Sequence, residues 1–254
     1  MLGADLPPEP WTLSARSEPR ARQRLLCLPF AGGGASAYRS WGAELAKSGI
    51  EVWPVQLPGR ENRLKEPAMD DLPALAALLA DVFGAYLPRR PYALFGHSMG
   101  ASIAFEFVRE VRRRGLPEPV RLIVSANRPP HRPDPAPPTH SLPRAELITK
   151  LRSYGGTPRE LFDEPDLVDL LLPTMRADFA LFERFQWVAE EPLGCPVTVL
   201  GGLSDVSVPD AELYAWEALT TGPFHVRMLP GDHFFLLKAR NMTIETVREL
   251  LSGR

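Results

Sequence analysis

Tyr92-Ala93-Leu94-Phe95-Gly96-His97-Ser98-Met99-Gly100-Ala101-Ser102-Ile103 is the stretch that decides the fold. Its first four residues read as a buried strand, and Ile103, Phe107 and Val111 mark one apolar stripe of a helix. Between them Gly96-His97-Ser98-Met99-Gly100 matches G-x-S-x-G, the pattern of a sharp turn from strand to helix that lifts a serine hydroxyl above the end of a sheet. A five-residue pattern is weak by itself and gains its meaning from the strand before it and the helix after it. Side chains at 96 and 100 are expected to collide within such a turn. Ser98 also opens the helix, whose free N–H groups and positive dipole end favour developing negative charge.

Outward from this turn the same alternation repeats. Apolar runs at 25–29, 52–57, 92–95, 122–125, 197–200 and 224–229 are separated by helix-patterned stretches. One stretch carries Leu72, Leu75, Leu79, Val82 and Tyr86 at alternating three- and four-residue spacing. The expected class is α/β, with a mostly parallel central sheet and helices on both faces. At 254 residues a single domain, 1–254, is expected. The alternation breaks over 128–190, where seven prolines fall between Pro129 and Pro143 and helical patterns follow without a strand. This stretch reads either as an inserted helical lid or as an excursion that only shields the sheet edge.

A serine hydroxyl is a poor nucleophile at neutral pH and needs a base. His233, in Pro230-Gly231-Asp232-His233-Phe234, follows the last strand-like run. His97 adjoins Ser98 but is expected to point elsewhere, His225 lies within a strand run, and His131 and His140 belong to the proline-rich stretch. The acid expected between nucleophile and base is Asp205, after the run 197–200 and two glycines, with Asp210 as the alternative. Asn127, at the end of the preceding run, cannot carry the charge. Two N–H donors are needed for an oxyanion: Met99, directly after the nucleophile, and Ala31 or Phe30 in the loop 29–35. That glycine-rich loop matches neither G-x-G-x-x-G nor a Walker lysine pattern.

Composition narrows the class further. Hydrophobic residues make up 44% and charged residues 24%, ordinary for a globular chain. With 29 basic and 31 acidic side chains, no net field draws the protein to nucleic acid or anionic lipid. The first twenty residues lack a signal-peptide pattern, and the longest apolar run, 74–80, is too short to span a bilayer, so a cytoplasmic address is expected. The two cysteines, Cys27 and Cys195, lie in or beside apolar segments and are expected to be buried, reduced thiols. No metal or cofactor is expected.

Taken together, LPFAGGGA at 28–35, LPGRENRLKEP at 57–67, GHSMGA at 96–101, GGLSD at 201–205 and GDHFFL at 231–236 resemble the type II thioesterases. These are stand-alone editing enzymes of polyketide and nonribosomal peptide assembly lines, within the α/β-hydrolase superfamily. The resemblance runs from about residue 20 to residue 250. It implies the α/β-hydrolase fold, Ser98, Asp205 and His233 as a triad, Ala31 and Met99 as oxyanion donors, and 128–190 as a lid over an acyl chamber. Phe30, Phe179 and Phe182 are the expected substrate contacts, with plain core packing the alternative for the last two. Many members have His where Phe30 stands and Pro where Val206 stands.

The implied reaction is hydrolysis of acyl groups from the phosphopantetheine arm of an acyl or peptidyl carrier protein. No D-S-L-type attachment context is found in this chain, so the carrier is expected to be a separate protein. A carboxylesterase or lipase-like hydrolase, a chain-releasing thioesterase and a non-catalytic binding protein are the rival readings. Within the insertion, 128–159 holds six basic and two acidic residues, whereas 160–190 holds two basic and eight acidic. The first half is therefore the expected docking face for an acidic carrier, with the second repelling it or facing away; ordinary solvated faces on both halves are the alternative.

Overall fold

Parallel strands are stable only with both faces covered, and these strands supply apolar side chains to both. The computed structural model describes residues 9–13, 18, 20–132, 134–156 and 162–252. In β1 (Gln23–Leu28), Leu26 and Leu28 join one core while Leu25 and Cys27 join the other. The same alternation divides β3 (Tyr92–His97), β4 (Arg121–Ser125) and β5 (Val197–Gly202) between the two layers. On the first face lie α2 (Leu72–Phe83) and α3 (Met99–Arg113); on the second lie α1 (Trp41–Ala46), α7 (Phe235–Lys238) and α8 (Arg240–Ser252). With β2 (Ile50–Pro54) and β6 (Phe224–Leu229) at the edges, the sheet order is β2-β1-β3-β4-β5-β6, every pair parallel.

This order fixes where a site can form. The chain starts at β1, steps out to β2, then crosses back to β3 on the other side of β1. Loops leaving neighbouring strands at such a reversal diverge to opposite faces and open a crevice at the strands' C-terminal ends. The two loops that do so here are the glycine-rich exit of β1 and the Ser98 turn after β3.

Several element ends differ from the sequence expectation for physical reasons. α2 starts where Asp71 accepts the N–H of Ala74 at 2.8 Å, and it stops at Phe83. Tyr86 is therefore beyond the helix, because Gly84 caps it and the chain passes into a 3-10 turn over Leu87–Arg89. β5 runs through Gly201 and Gly202, which read as turn residues but pair with Met228 and Leu229. A side chain at Gly202 would press on the backbone of Gly231 and Asp232.

Between β4 and β5 the chain leaves the sheet for α4 (Arg144–Tyr154) and α5 (Pro165–Glu183). Leu147 and Leu151 of α4 pack against Val168, Leu172, Met175 and Phe179 of α5 in a third apolar cluster. Arg144 pairs with Asp169 at 2.7 Å and Arg152 with Asp163 at 3.5 Å. These two ion pairs link the basic and acidic halves. Arg159 and Glu160, counted in that balance, lie outside the described residues, as do Pro133 and 1–8. The far end of the insertion is fastened to α3 by Glu190, which meets Arg109 at 2.6 Å and Arg112 at 3.1 Å and also pairs with Arg113. Burial opposes ionisation of Glu190, but its arginine partners outweigh it and bring the carboxyl down to about 2.

Candidate active site

The Ser98 turn is held from below. Ser98 has φ 52° and ψ −121°, a conformation that L-residues rarely adopt. Its N–H donates to the Ser125 carbonyl at 2.8 Å, and its carbonyl accepts the N–H of Ala101 at 2.8 Å. A Cβ on Gly96 would overlap the backbone of Gly100, and one on Gly100 would overlap the Leu28 carbonyl. Gly96 is thus needed within the turn, as expected, whereas Gly100 is needed because the turn packs directly on the end of β1.

His233 arrives from the loop after β6, and its Nε2 lies 3.0 Å from Ser98 Oγ. Its Nδ1 lies 2.8 Å from Asp205 Oδ2, at the exit of β5. The other carboxylate oxygen accepts the N–H of Ser207 at 2.9 Å and its hydroxyl at 2.5 Å. Burial disfavours the Asp205 carboxylate, yet the bonds from His233 and Ser207 hold its pKa below the usual value. Asp210, the alternative acid, is exposed at the start of α6 (Asp210–Tyr214). The structure thus brings Ser98, His233 and Asp205 into one chain of hydrogen bonds and leaves Asp210 outside it.

His97 points beneath the turn, fully buried, with Nδ1 2.9 Å from Ser125 Oγ and its ring 5.6 Å from that of His233. Burial, then the neighbouring His233, push its pKa down to about 3. The unfolded chain therefore binds a proton here below pH 6.5 that the native state refuses, so stability falls as pH drops through this window. The expected slope is about 1.4 kcal/mol per pH unit from this residue, down to where carboxylates begin to titrate. Urea midpoints should show that slope flattened in His97→Gln between pH 6.5 and 4.5; an unchanged slope would assign it elsewhere.

The β1 exit is equally ordered. Gly33 N–H closes a turn on the Phe30 carbonyl at 2.9 Å, Gly32 N–H donates to Asp178 Oδ2 at 2.7 Å, and Ala35 N–H to Gln56 Oε1 at 2.7 Å. Among the described residues no hydrogen bond engages the N–H of Ala31 or of Met99. Phe30 packs edge-on against Phe234 at 5.1 Å.

Ser98 and His233 open onto a cavity of about 520 Å³, within the usual range of small-molecule sites. Phe30, Ala31, Met175, Phe179 and Phe182 contribute to its wall. A polar spot interrupts this wall where Asn127 Nδ2 donates to Ser102 Oγ at 2.8 Å. Sequence reading missed this pair, Ser207, and the partners of the glycine loop, Gln56, Arg60 and Asp178. Ser207 stands two residues after Asp205, a spacing at which an aspartate commonly accepts a backbone N–H, so it carried a local signal; the others carry none, because their contacts join distant segments. Among the described residues no group of three or more His, Cys, Asp or Glu could hold a metal, and no helix is long and apolar enough to cross a membrane. Both cysteines are free and buried; burial raises both thiols, Cys195 to about 12.

A parallel α/β sheet carrying a serine on a strained turn, hydrogen-bonded to a histidine, is the architecture of a serine hydrolase of the α/β-hydrolase class. Comparison with known proteins narrows this: the family model described as Thioesterase domain matches residues 23–251, and the chain belongs to that family. Linear gramicidin dehydrogenase LgrE of Brevibacillus parabrevis is 40% identical over 249 residues, covering 97% of this chain and 94% of that one. Although that relative's name speaks of a dehydrogenase, the family match here is to thioesterases and the site geometry is that of a serine hydrolase. The RedJ thioesterase of the prodiginine pathway in Streptomyces coelicolor superposes with a TM-score of 0.86 at 37% identity, covering 95% of this chain and 96% of its own. The type II thioesterase BorB of the borrelidin biosynthetic cluster does so with a TM-score of 0.84 at 37% identity, covering 94% and 96%.

Proposed function

We propose that this enzyme hydrolyses acyl groups from the phosphopantetheine arm of an acyl or peptidyl carrier protein acting in trans, clearing stalled or wrongly loaded chains. The observation that carries the chemistry is the 3.0 Å approach of His233 Nε2 to Ser98 Oγ on the cavity wall. The carrier as substrate is supported by relatives such as BorB, a type II thioesterase of a biosynthetic cluster. Ser98 Oγ attacks the thioester carbonyl while His233 takes its proton, with Asp205 holding the imidazole in the right tautomer. The oxyanion is received by the N–H groups of Ala31 and Met99. His233 returns the proton to the departing thiolate, and water, activated by the same histidine, hydrolyses the acyl-serine to free acid and Ser98.

In this reading 128–190 is a lid subdomain of a single domain, and Phe30, Phe179 and Phe182 contact the acyl chain. Support comes from their place in the cavity wall. One experiment tests the substrate class: steady-state turnover of one acyl group on a carrier protein, on coenzyme A and as an oxygen ester. The expected order of kcat/KM is carrier first and oxygen ester last, because carrier contacts add binding energy that the small donors lack. A preference for the oxygen ester would return the protein to the esterases.

A further inference from the structure

We infer that Asp178 and Arg60 are positioning residues, a buried ion pair that sets the oxyanion loop and ties it to the helix lining the acyl cavity. The inference rests on the proposed roles of Ser98 as nucleophile and of Ala31 and Met99 as oxyanion donors. The pair is bidentate, with Arg60 Nη2 to Asp178 Oδ1 at 2.7 Å and Nη1 to Oδ2 at 2.8 Å, and the two side chains are only 6% and 1% exposed. Both partners also grip the loop after β1. Asp178 Oδ2 accepts the N–H of Gly32 at 2.7 Å, and Arg60 Nη1 donates to the Gly33 carbonyl at 3.1 Å.

A run of glycines presents several N–H groups that an unrestrained backbone would turn in many directions. Here Asp178 takes the N–H of Gly32 and the Phe30 carbonyl takes that of Gly33, so the donors left beside the cavity are the N–H groups of Ala31 and its neighbour Phe30. The restraint comes from Asp178 of α5, adjacent to the cavity residue Phe179 and about one turn after Met175. Gly32 has φ +75°, and a side chain there would overlap Met175. Thr174 adds a bond to the Gly59 carbonyl at 2.7 Å, and Gln56 bonds the Arg60 carbonyl at 3.0 Å. Helix α5 and the oxyanion loop thus form one block: an acyl chain pressing on α5 acts on the same unit that stabilises the oxyanion.

An amide at 178 keeps the size but offers one acceptor oxygen: set at the Oδ2 position it keeps Gly32 and one Arg60 bond but turns its N–H donors towards Arg60 Nη2, and set at Oδ1 it gives up both Gly32 and Arg60 Nη1, so the fork is broken either way. The test compares two ligands of the intact protein: an alkyl boronic acid, whose tetrahedral adduct on Ser98 places an oxygen among the oxyanion donors, and an unreactive thioether of the same chain. Asp178→Asn should lower kcat for a short acyl thioester about tenfold to a hundredfold with little change in KM. It should weaken the boronate by a similar factor and leave the thioether within about twofold. Arg60→Lys, which keeps the charge but loses the fork, should show a smaller loss of the same kind and serves if Asp178→Asn fails to fold. Glu51→Gln breaks a comparably buried pair with Arg24 on the β1–β2 side of the sheet, and should lower Tm without altering the boronate-to-thioether ratio. Equal loss of both ligands, or of neither, in folded Asp178→Asn or Arg60→Lys would overturn the inference. A wild-type protein that forms no boronate adduct on Ser98 would instead overturn the site reading, and the inference with it.

Discussion

Replacing Ser98 by alanine should reduce thioester turnover by about 10⁴- to 10⁶-fold while leaving the fold in place. The change removes one hydroxyl whose recorded hydrogen bond is to His233, and the strained φ of 52° is no harder for alanine than for serine. The clashes that shape the turn belong to Gly96 and Gly100, which remain. What is lost is the covalent route; binding and any oxyanion stabilisation persist and account for the residual rate. Steady-state kinetics, with thermal unfolding to verify the fold, measure the effect. Mass spectrometry after treatment with a sulfonyl fluoride should find a single adduct, on Ser98. Near-normal turnover in the variant, or an adduct elsewhere, would move the nucleophile.

Asp205→Asn should cost about 10⁴-fold in kcat at neutral pH, because an amide cannot both hold the correct imidazole tautomer and stabilise the imidazolium that forms. The native carboxylate is fully engaged, with one oxygen on His233 and the other on Ser207. Since its pKa lies below the ordinary carboxyl value, Asp205 stays ionised throughout the neutral range. The acidic limb of the kcat/KM profile therefore reports a group other than Asp205. Asp210→Asn, on an exposed helix start, should leave both the rate and the profile unchanged. The reverse ranking of the two variants would reassign the acid.

The turn at Ser98 was legible because its strand, its glycines and its helix all fall within a dozen residues. Asp205 and His233 could be read from chain order, since each follows an apolar run that became a strand. Phe179 and Phe182 were visible as part of a helical stripe, although a stripe alone does not say whether it faces a cavity or a core. Asp178 was not legible: an acid within a helix of the acidic half reads as solvated, and its partner Arg60 is 118 residues away. The ion pairing between the charge halves was not legible for a similar reason: Arg144 and Asp169 lie 25 residues apart and meet only because α4 and α5 fold back. Tyr86 followed the periodicity of α2 and still packs beside Trp53, so its face was right although the helix ended sooner.

The state of the two cysteines bears on the product. Each turnover of a thioester liberates a thiol, and a thiolate attacks disulfides or, after oxidation, couples with any accessible cysteine. Cys27 sits within β1, Cys195 just ahead of β5, both shielded by the sheet and its helices and both with raised pKa. Neither offers a thiolate to a departing pantetheine, so mixed-disulfide inhibition by the enzyme's own product has no foothold. The protein should keep full activity through repeated cycles in air without added reductant.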